Sequence, residues 1–438
     1  MSVARRTGGA DSGSGVCSYH RPTMEHEITT LPNGLRLITH HMPSTRSVAI
    51  GCWVDTGSRD ETVEEAGASH FLEHLLFKGS EKWPTRRISE TFDGIGAMHN
   101  AFTSKEYTCF WTRMRDEDLS IGVEILAEML QHPAFRPSEI DTERSVVLEE
   151  INMNEDDPAD VAHEEFIRAM WGDHPLSPPV LGTRASITDM TRDTINGYWA
   201  RRYTPYSVVV AIAGNLPDDL TELVATHFGD WEGRPVDRSL RTPEPVSLVR
   251  VTRRDTEQAH LVIGAPSIAR NDERRYALSL VDHILGGGMS SRLFHEIRET
   301  RGLAYAVYTF RLPYADAGAS ATYVGTTPSQ ADEVLKIVRE QLASVVDSGV
   351  TSEELHRAKG HVKGSLAIGL EDANSRMNLI GRTEIVGQEH LTVDEIVAAI
   401  SAVTHEEVIE VAKAAYDGPY VIGAVGPFDT EDLEEHVR

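Results

Sequence analysis

Two histidines and a glutamate interrupt an otherwise apolar stretch of the chain, SHFLEHLLFKG at residues 69–79. On a helix, residues three and four apart share a face, so His70, Glu73 and His74 can point towards one ion. Two imidazoles suit Zn²⁺, which takes about four ligands and keeps one position for water in catalytic sites. The order His-x-x-Glu-His is the inverted zincin motif. The alternative, a core helix with stray polar residues, is costly because an unpaired carboxylate is strongly disfavoured in an apolar interior.

A third metal ligand must come from elsewhere, and residues 137–151 offer two carboxylates. Glu143 and Glu150 are seven residues apart, which is nearly two helical turns, and Val147 lies between them on the same face. Glu149 points away from that face. We therefore assign Glu150 as the third ligand and Glu143 as the carboxylate that orients a ligating imidazole. On spacing alone, two solvated charges on an acidic helix explain this pair equally well.

The elements that must position these residues follow from periodicity and turn signals. The motif helix is expected to stop near Gly79, and another helix to open at Pro137 and Ser138. Further helices are expected at 85–96 and 118–131. Strands are expected at 34–42, 47–55 and 207–214, and a hairpin at 98–104 and 107–113.

The pattern then restarts after a charged segment with three prolines, at 228–248. Residues 259–267 resemble the earlier strand, 274–288 resemble the motif helix, and 351–366 resemble 137–151. This repeat predicts an α+β protein of two homologous halves. His283 falls roughly opposite His74, without the surrounding motif. An ungapped match places Ala358 and Ser365 opposite Glu143 and Glu150, so we expect one metal centre per chain.

Composition excludes several classes of function. The chain has 438 residues and a formal net charge of -26, which argues against nucleic acid and anionic membranes as partners. No apolar run reaches the ~18 residues of a membrane-spanning helix. The cysteines, Cys17, Cys52 and Cys109, form no disulfide framework, which favours a reducing compartment such as the cytoplasm. Residues 1–24 are rich in glycine and serine and are expected to be a disordered extension.

Five segments together resemble the M16 peptidases, the inverzincins that include mitochondrial processing peptidase, pitrilysin and insulin-degrading enzyme. The segments are HFLEHLLFKGS, NAFTSKEYTCFW, ERSVVLEEINMNEDDP, LGT and IRETRGLAYAV. Over about residues 26–430 the chain is similar to the short bacterial subfamily that resembles the processing peptidase beta subunit. The resemblance implies two LuxS/MPP-like metallohydrolase domains, each a mostly antiparallel sheet packed with helices. The expected division is a catalytic zinc-binding domain at 25–229, a linker at 230–249 and an inactive domain at 250–438.

The resemblance also implies roles for individual residues. One Zn²⁺ per chain is expected on His70, His74 and Glu150, with Glu73 as the base that activates a zinc-bound water. Glu143 matches the family's outer-shell glutamate.

Further residues are implied by the resemblance alone. Arg298 and Tyr305 match a pair that acts on the substrate in catalysis. Phe77, Asn100 and Ala101 match residues that line the substrate cleft. Without the resemblance, Arg298 is explained by a surface ion pair, Tyr305 by a core aromatic and Asn100 by an ordinary sheet position.

The function expected from these features is a zinc-dependent endopeptidase acting on extended or unfolded peptides. The family's four-domain chamber implies a homodimer in which Arg298 and Tyr305 of one subunit face the zinc of the other. A heterodimer with an inactive paralogue is the alternative assembly. The alternative functions are a non-catalytic or weakly active structural subunit of a processing complex and a non-proteolytic zinc hydrolase.

Overall fold

The computed structural model describes residues 26–243 and 248–437. The predicted extension at 1–24 and residues 244–247 of the predicted linker lie outside the described residues. The strands of the described part are β1 (Glu27–Thr30), β2 (Arg36–His41), β3 (Ser47–Val54), β4 (Met98–Thr103), β5 (Thr108–Arg115), β6 (Val208–Gly214), β7 (Val249–Arg253), β8 (Ala259–Ser267), β9 (Ala304–Pro313), β10 (Gly318–Thr326) and β11 (Val421–Gly426).

The α-helices surround these strands. They are α1 (Ala68–Leu76), α2 (Thr85–Ile95), α3 (Leu119–Gln131), α4 (Pro137–Asp156), α5 (Pro158–Trp171), α6 (Arg184–Asp189), α7 (Arg192–Arg202), α8 (Leu220–Phe228), α9 (Arg275–Gly286), α10 (Ala331–Ser348), α11 (Ser352–Gly369), α12 (Ala373–Ile385), α13 (Val393–Ala402) and α14 (His405–Tyr416). A π-helix spans Phe294–Thr300. No helix of the described residues is both long and apolar enough to cross a membrane.

Each half of the chain builds one sheet, and the two sheets repeat one plan. The first has the order β1-β2-β6-β3-β5-β4 and the second the order β7-β11-β8-β10-β9. In each sheet one pair of strands is parallel, β2 with β6 and β7 with β11, and the other neighbours are antiparallel. The predicted fold class, two homologous α+β halves with mostly antiparallel sheets, is confirmed. β4 and β9 are equivalent edge strands.

The two halves exchange one helix each. α5, from the first half, packs on β7, β8 and β11, where Phe166 is buried against the second sheet. α12, from the second half, packs on β2, β3 and β6, where Met377 is buried beside Trp53 of the first sheet. Each sheet therefore has one face covered by its neighbour's helix. This exchange ties the two halves into one structure.

Each crossing helix starts at an aspartate that caps its first turn. Asp157 ends α4 and caps α5, because its carboxylate accepts hydrogen bonds from the amides of Ala159 and Asp160, and Pro158 occupies the first helical position. Asp372 caps α12 in the same way after α11. α4, which carries Glu150, and its second-half counterpart α11 thus end just where the chain crosses to the other half.

A buried ion cluster also joins the halves. The guanidinium of Arg59 lies 2.5 Å from Glu106 in the first half and 2.9 Å from Asp316 in the second, and Arg270 of the second half contacts the other oxygen of Glu106. The side chains of Arg59 and Glu106 are each 2% exposed. Part of the predicted linker is held to the same region, since Arg238 pairs with Asp60 at 2.7 Å.

The motif helix α1 begins at a left-handed glycine. Gly67 has φ +89°, a conformation that a side chain would disfavour, and Cβ at this position would meet the backbone of Leu181 and Gly182. The carboxylate of Glu61 accepts hydrogen bonds at 2.7 Å from the amides of Gly67 and Ser69, which satisfies the start of the helix. α1 then buries one apolar face in the core of the first half. Its polar residues are left facing α4.

Candidate metal centre

Two imidazoles and one remote carboxylate converge where α1 meets α4. The Nε2 atoms of His70 and His74 lie 3.4 and 3.5 Å from Oε2 of Glu150. One ligand atom from each residue lies within 4.8 Å of the others, a spacing that one ion with ~2 Å bonds can bridge. The structure therefore brings together the three residues assigned as ligands from the sequence.

The two histidines are prepared to act as ligands. Burial lowers the pKa of His70 to about 4, with a further lowering from His74, so the imidazole is neutral at neutral pH, the form that binds metals. The Nδ1 atom of His70 is buried without a hydrogen-bond partner among the described residues. Two imidazoles and a carboxylate make a donor set that fits Zn²⁺.

Glu143 holds one of these histidines from behind. Its Oε2 atom lies 3.2 Å from Nδ1 of His74, which turns Nε2 of the same ring towards Glu150. Its Oε1 atom lies 2.6 Å from the ammonium of Lys78. A carboxylate bonded to the far nitrogen of a ligating imidazole fixes the tautomer and the orientation of the ring. Sequence reasoning missed Lys78, although its place four residues after His74 puts it on the same helical side.

Glu73 lies beside the ligands and is held by the edge strand. The hydroxyl of Thr103 donates a hydrogen bond of 2.7 Å to Oε2 of Glu73. Burial raises the pKa of Glu73 above its usual value, and the Thr103 hydrogen bond opposes that rise. Thr103 was also missed from the sequence. Its spacing offers a signal, because it lies two residues after Ala101 and so on the same face of β4.

The residues assigned to substrate binding lie around β4. This strand pairs with β5 and is the last strand of its sheet. Asn100 is exposed, and its side-chain oxygen accepts a hydrogen bond of 2.9 Å from the amide of Ala101, which is buried. Phe77 is half-buried, and its ring packs against His99 and Phe110. Phe77 thus packs against β4 through His99 and against β5 through Phe110.

Arg298 and Tyr305 lie together but in the second half. The guanidinium of Arg298 lies over the ring of Tyr305, 4.5 Å from its centre, and donates to the carbonyl oxygen of Tyr305 at 2.9 Å. Tyr305 is 81% exposed. Among the described residues, no hydrogen bond or ion pair joins either residue to His70, Glu73 or His74. The pair is therefore held by its own contacts at the surface of the second half.

Comparisons with known proteins agree with this arrangement in two halves. Residues 36–184 match the family model of insulinase, peptidase family M16, and residues 189–361 match that of the peptidase M16 inactive domain. An uncharacterized zinc protease of Streptomyces coelicolor is 42% identical over 91% of this chain and 89% of its own length. The uncharacterized zinc protease YmxG of Bacillus subtilis is 40% identical over 91% of this chain and 97% of its own length.

Solved structures share the fold at lower sequence identity. A protease from Helicobacter pylori superposes with a TM-score of 0.84 at 21% identity, covering 91% of this chain and 99% of that one. A peptidase M16 inactive domain from Pseudomonas fluorescens gives a TM-score of 0.85 at 21% identity, covering 93% and 99%. The matched family models, and relatives about 40% identical over nine-tenths of the sequence, establish that this chain belongs to peptidase family M16, the insulinase family.

Proposed function

We propose that this protein is a zinc-dependent endopeptidase that hydrolyses extended or unfolded peptides. The observation that carries the proposal is the convergence of His70, His74 and Glu150, with Glu73 beside them. The names of its relatives, zinc proteases, support the general activity and the metal. We further propose one zinc ion per chain, held by these three side chains.

The chain's own residues supply the proton transfers. When bound, zinc would acidify a water molecule and polarise the scissile carbonyl group. Thr103 holds Oε2 of Glu73, which leaves Oε1 to take the proton from the attacking water and return it to the leaving amine. Glu143 keeps the ring of His74 in place.

β4 is the element best suited to hold a peptide substrate. As an edge strand it can pair with an added extended chain, whose main-chain hydrogen bonds give affinity without much sequence selectivity. Asn100 and Ala101 lie in the middle of this strand, and the ring of Phe77 packs against its His99. Thr103 then connects the strand that binds the peptide to the base that acts on it. This mode of binding favours unfolded segments over folded proteins.

The test compares Glu73→Gln with the exposed control Glu64→Gln on an end-blocked peptide that offers only internal bonds. We expect Glu73→Gln to retain zinc, measured by metal analysis, and to lose about 10²- to 10⁴-fold in kcat, because the base is lost while the ligands remain. Glu64→Gln is expected to match the wild type. Equal cleavage by Glu73→Gln would refute Glu73 as the base. Turnover of small esters without peptide cleavage would instead indicate a non-proteolytic hydrolase, and zinc binding without turnover a structural subunit.

We also propose a homodimer in which Arg298 and Tyr305 of one subunit complete the site of the other. The exposure of Tyr305, and the absence among the described residues of a hydrogen bond or ion pair from either residue to His70, Glu73 or His74, support an action in trans. Co-expression of Glu73→Gln with Arg298→Ala tests this directly. In trans, the mixed dimer contains one intact site and recovers part of the activity. In cis, neither subunit has an intact site and no activity returns.

A bacterial cytoplasmic location is part of the proposal. It is supported by the two cysteines of the described residues, Cys52 and Cys109, which are both buried free thiols on neighbouring strands. Labelling of these thiols in unfolded protein, extracted from cells under acid-quenched conditions, checks that they are reduced in vivo.

A further inference from the structure

A second cavity lies away from the candidate metal centre. It has a volume of about 430 Å³ and is enclosed mainly by α9, α11, α12 and α13 of the second half, with His26, His40 and Tyr107 contributed by the first. None of the residues assigned to the metal or to proton transfer lines it. Its volume falls within the range of small-molecule pockets, about 300–1,000 Å³.

The charge of this cavity is opposite to that of the chain. Acidic residues outnumber Lys and Arg by 68 to 42 in the whole sequence. The lining nevertheless has a single carboxylate, from Glu389, and five arginines. The arginines are Arg270, Arg275, Arg311, Arg376 and Arg382. A cationic cavity in so acidic a protein selects for anions.

Two of these guanidinium groups have no carboxylate counter-ion in the described part of the chain, those of Arg275 and Arg382. Glu106 pairs with Arg270, and Asp282 lies 3.1 Å from Arg311. The Arg275 guanidinium instead lies over the ring of Tyr276, at 4.6 Å from its centre. Arg275 also donates long hydrogen bonds, of 3.4 Å to the carbonyl oxygen of Asp272 and of 3.3 Å to the Tyr276 hydroxyl. Since neither Arg275 nor Arg382 is held in an ion pair within the described residues, both can pair with an anion that enters the cavity.

Half of the remaining lining residues are Val, Leu or Ile. α11 contributes Val362 and Leu366, and α13 contributes Val393, Ile396 and Ile400. A fully hydrated ion such as free phosphate would leave this surface uncovered. A ligand that combines an anionic head with an apolar body satisfies both parts of the lining.

We propose that this cavity binds a small amphipathic anion, a carboxylate head on an aliphatic body, with Arg275 and Arg382 contacting the head. Guanidinium groups suit this head because they pair with carboxylates through two parallel hydrogen bonds. Two sources share this chemistry, a free alkanoate and the carboxy-terminus of a short peptide that ends in aliphatic residues. The proposal does not depend on the metal centre.

Titration calorimetry with submicellar decanoate on the full-length protein tests the proposal. We expect one site per chain, about tenfold or more weaker in Arg275→Gln and in Arg382→Gln, because each substitution removes a charge-assisted hydrogen bond. Decylammonium is expected not to bind. Arg86→Gln, which removes an exposed arginine on α2, is the matched control and should bind decanoate like the wild type. Peptide cleavage should be unchanged in all three variants.

A second titration identifies the source of the head group. Acetyl-Leu-Leu as the free acid should bind and its amide should not if the ligand is a peptide end, whereas decanoate alone binds if it is an alkanoate. Failure of both anions to bind at millimolar concentration would overturn the proposal. Equal binding of decylammonium, or decanoate affinity unchanged in Arg382→Gln, would also overturn it. Arg382 is exposed, so this variant remains informative even if Arg275→Gln folds poorly.

Discussion

The junction of α1 with α4 and the equivalent junction of α9 with α11 share one architecture and differ in what it holds. In the first, His70, His74 and Glu150 converge on one point. In the second, the rings of His283 and His361 stack face to face, with centres 4.2 Å apart and planes 14° apart. Stacked rings direct their nitrogens side by side rather than towards a shared ion.

The second junction also lacks the carboxylates of the first. Ala358, opposite Glu143, is buried in the apolar core, and Ser365, opposite Glu150, lies 3.3 Å from Nε2 of His361. The nearby carboxylate of Asp282 is engaged by the Tyr416 hydroxyl at 2.6 Å and by Arg311. The fold thus supplies two helices that meet in each half, while a few side chains decide whether the meeting point can hold a metal.

The largest expected effect comes from removing the ligand that only the first half has. Glu150→Gln should abolish zinc binding and reduce peptide cleavage to background, because an amide replaces the carboxylate ligand. Glu149→Gln, its exposed neighbour, and Ser365→Ala, its second-half counterpart, should leave the zinc content unchanged. Metal analysis with peptide cleavage measures all three. Loss of zinc in Ser365→Ala would show that the second half binds metal too.

The next effect is on the cluster that joins the halves. Glu106→Gln should lower the free energy of unfolding by about 3–5 kcal/mol, because it removes the carboxylate that Arg59 and Arg270 share and leaves the buried guanidinium of Arg59 with Asp316 alone. Glu90→Gln, which breaks an exposed pair with Arg86, should cost about 0.5 kcal/mol or less. Urea unfolding of the metal-free proteins gives both values. Equal costs would mean that the cluster contributes no more than a surface pair.

A smaller effect on zinc affinity is expected from Glu143, the carboxylate that contacts Nδ1 of His74. Glu143→Gln should weaken zinc binding by about 10- to 100-fold, since the carboxylate no longer orients His74. Glu139→Gln, one turn earlier on α4 and paired with Arg136, is the control and should bind zinc like the wild type. Competition with a chromogenic chelator measures the affinities. An unchanged affinity in Glu143→Gln would refute an orienting role.

The smallest effect is on the pH dependence of stability. It concerns Glu354 of α11, which aligns with Glu139 of α4 in the match between the two halves. Two hydrogen bonds from Arg292, at 2.7 and 2.8 Å, are the main cause that lowers the pKa of Glu354 to about 2. Its stabilisation is therefore complete above the unfolded pKa of 4.5 and is lost as the pH falls towards 2. Glu354→Gln should cost about 1–2 kcal/mol at pH 7, allowing for solvent screening.

The difference from the wild type should shrink below pH 4. The exposed control Glu353→Gln should show almost no difference at any pH, because its i,i+4 pair with Arg357 is exposed to solvent. Thermal unfolding across pH measures both variants. A difference for Glu354→Gln that is as large at pH 2 as at pH 7 would contradict the assignment.

Much of the fold could be predicted because its signals are local. Flanking Gly, Pro and Ser and β-branched content marked the strands, and the spacing of residues in α1 and α4 showed which side chains share a helical face. The repeat predicted that the second half has the same plan without the metal ligands. Two contacts of the site could not be predicted, from Thr103 to Glu73 and from Lys78 to Glu143. Each depends on the distance between two side chains, which spacing along the chain does not determine.

By itself, the sequence determined the types of the ligands and the order of the helices and strands, because both depend on residue identity and short-range periodicity. Only the tertiary structure decided that α5 and α12 cross to the other half. An amphipathic helix gains the same free energy on any apolar sheet face of matching shape, so its sequence does not specify the partner. The approach of Glu150 to two imidazoles on another helix was likewise set by how α1 and α4 pack.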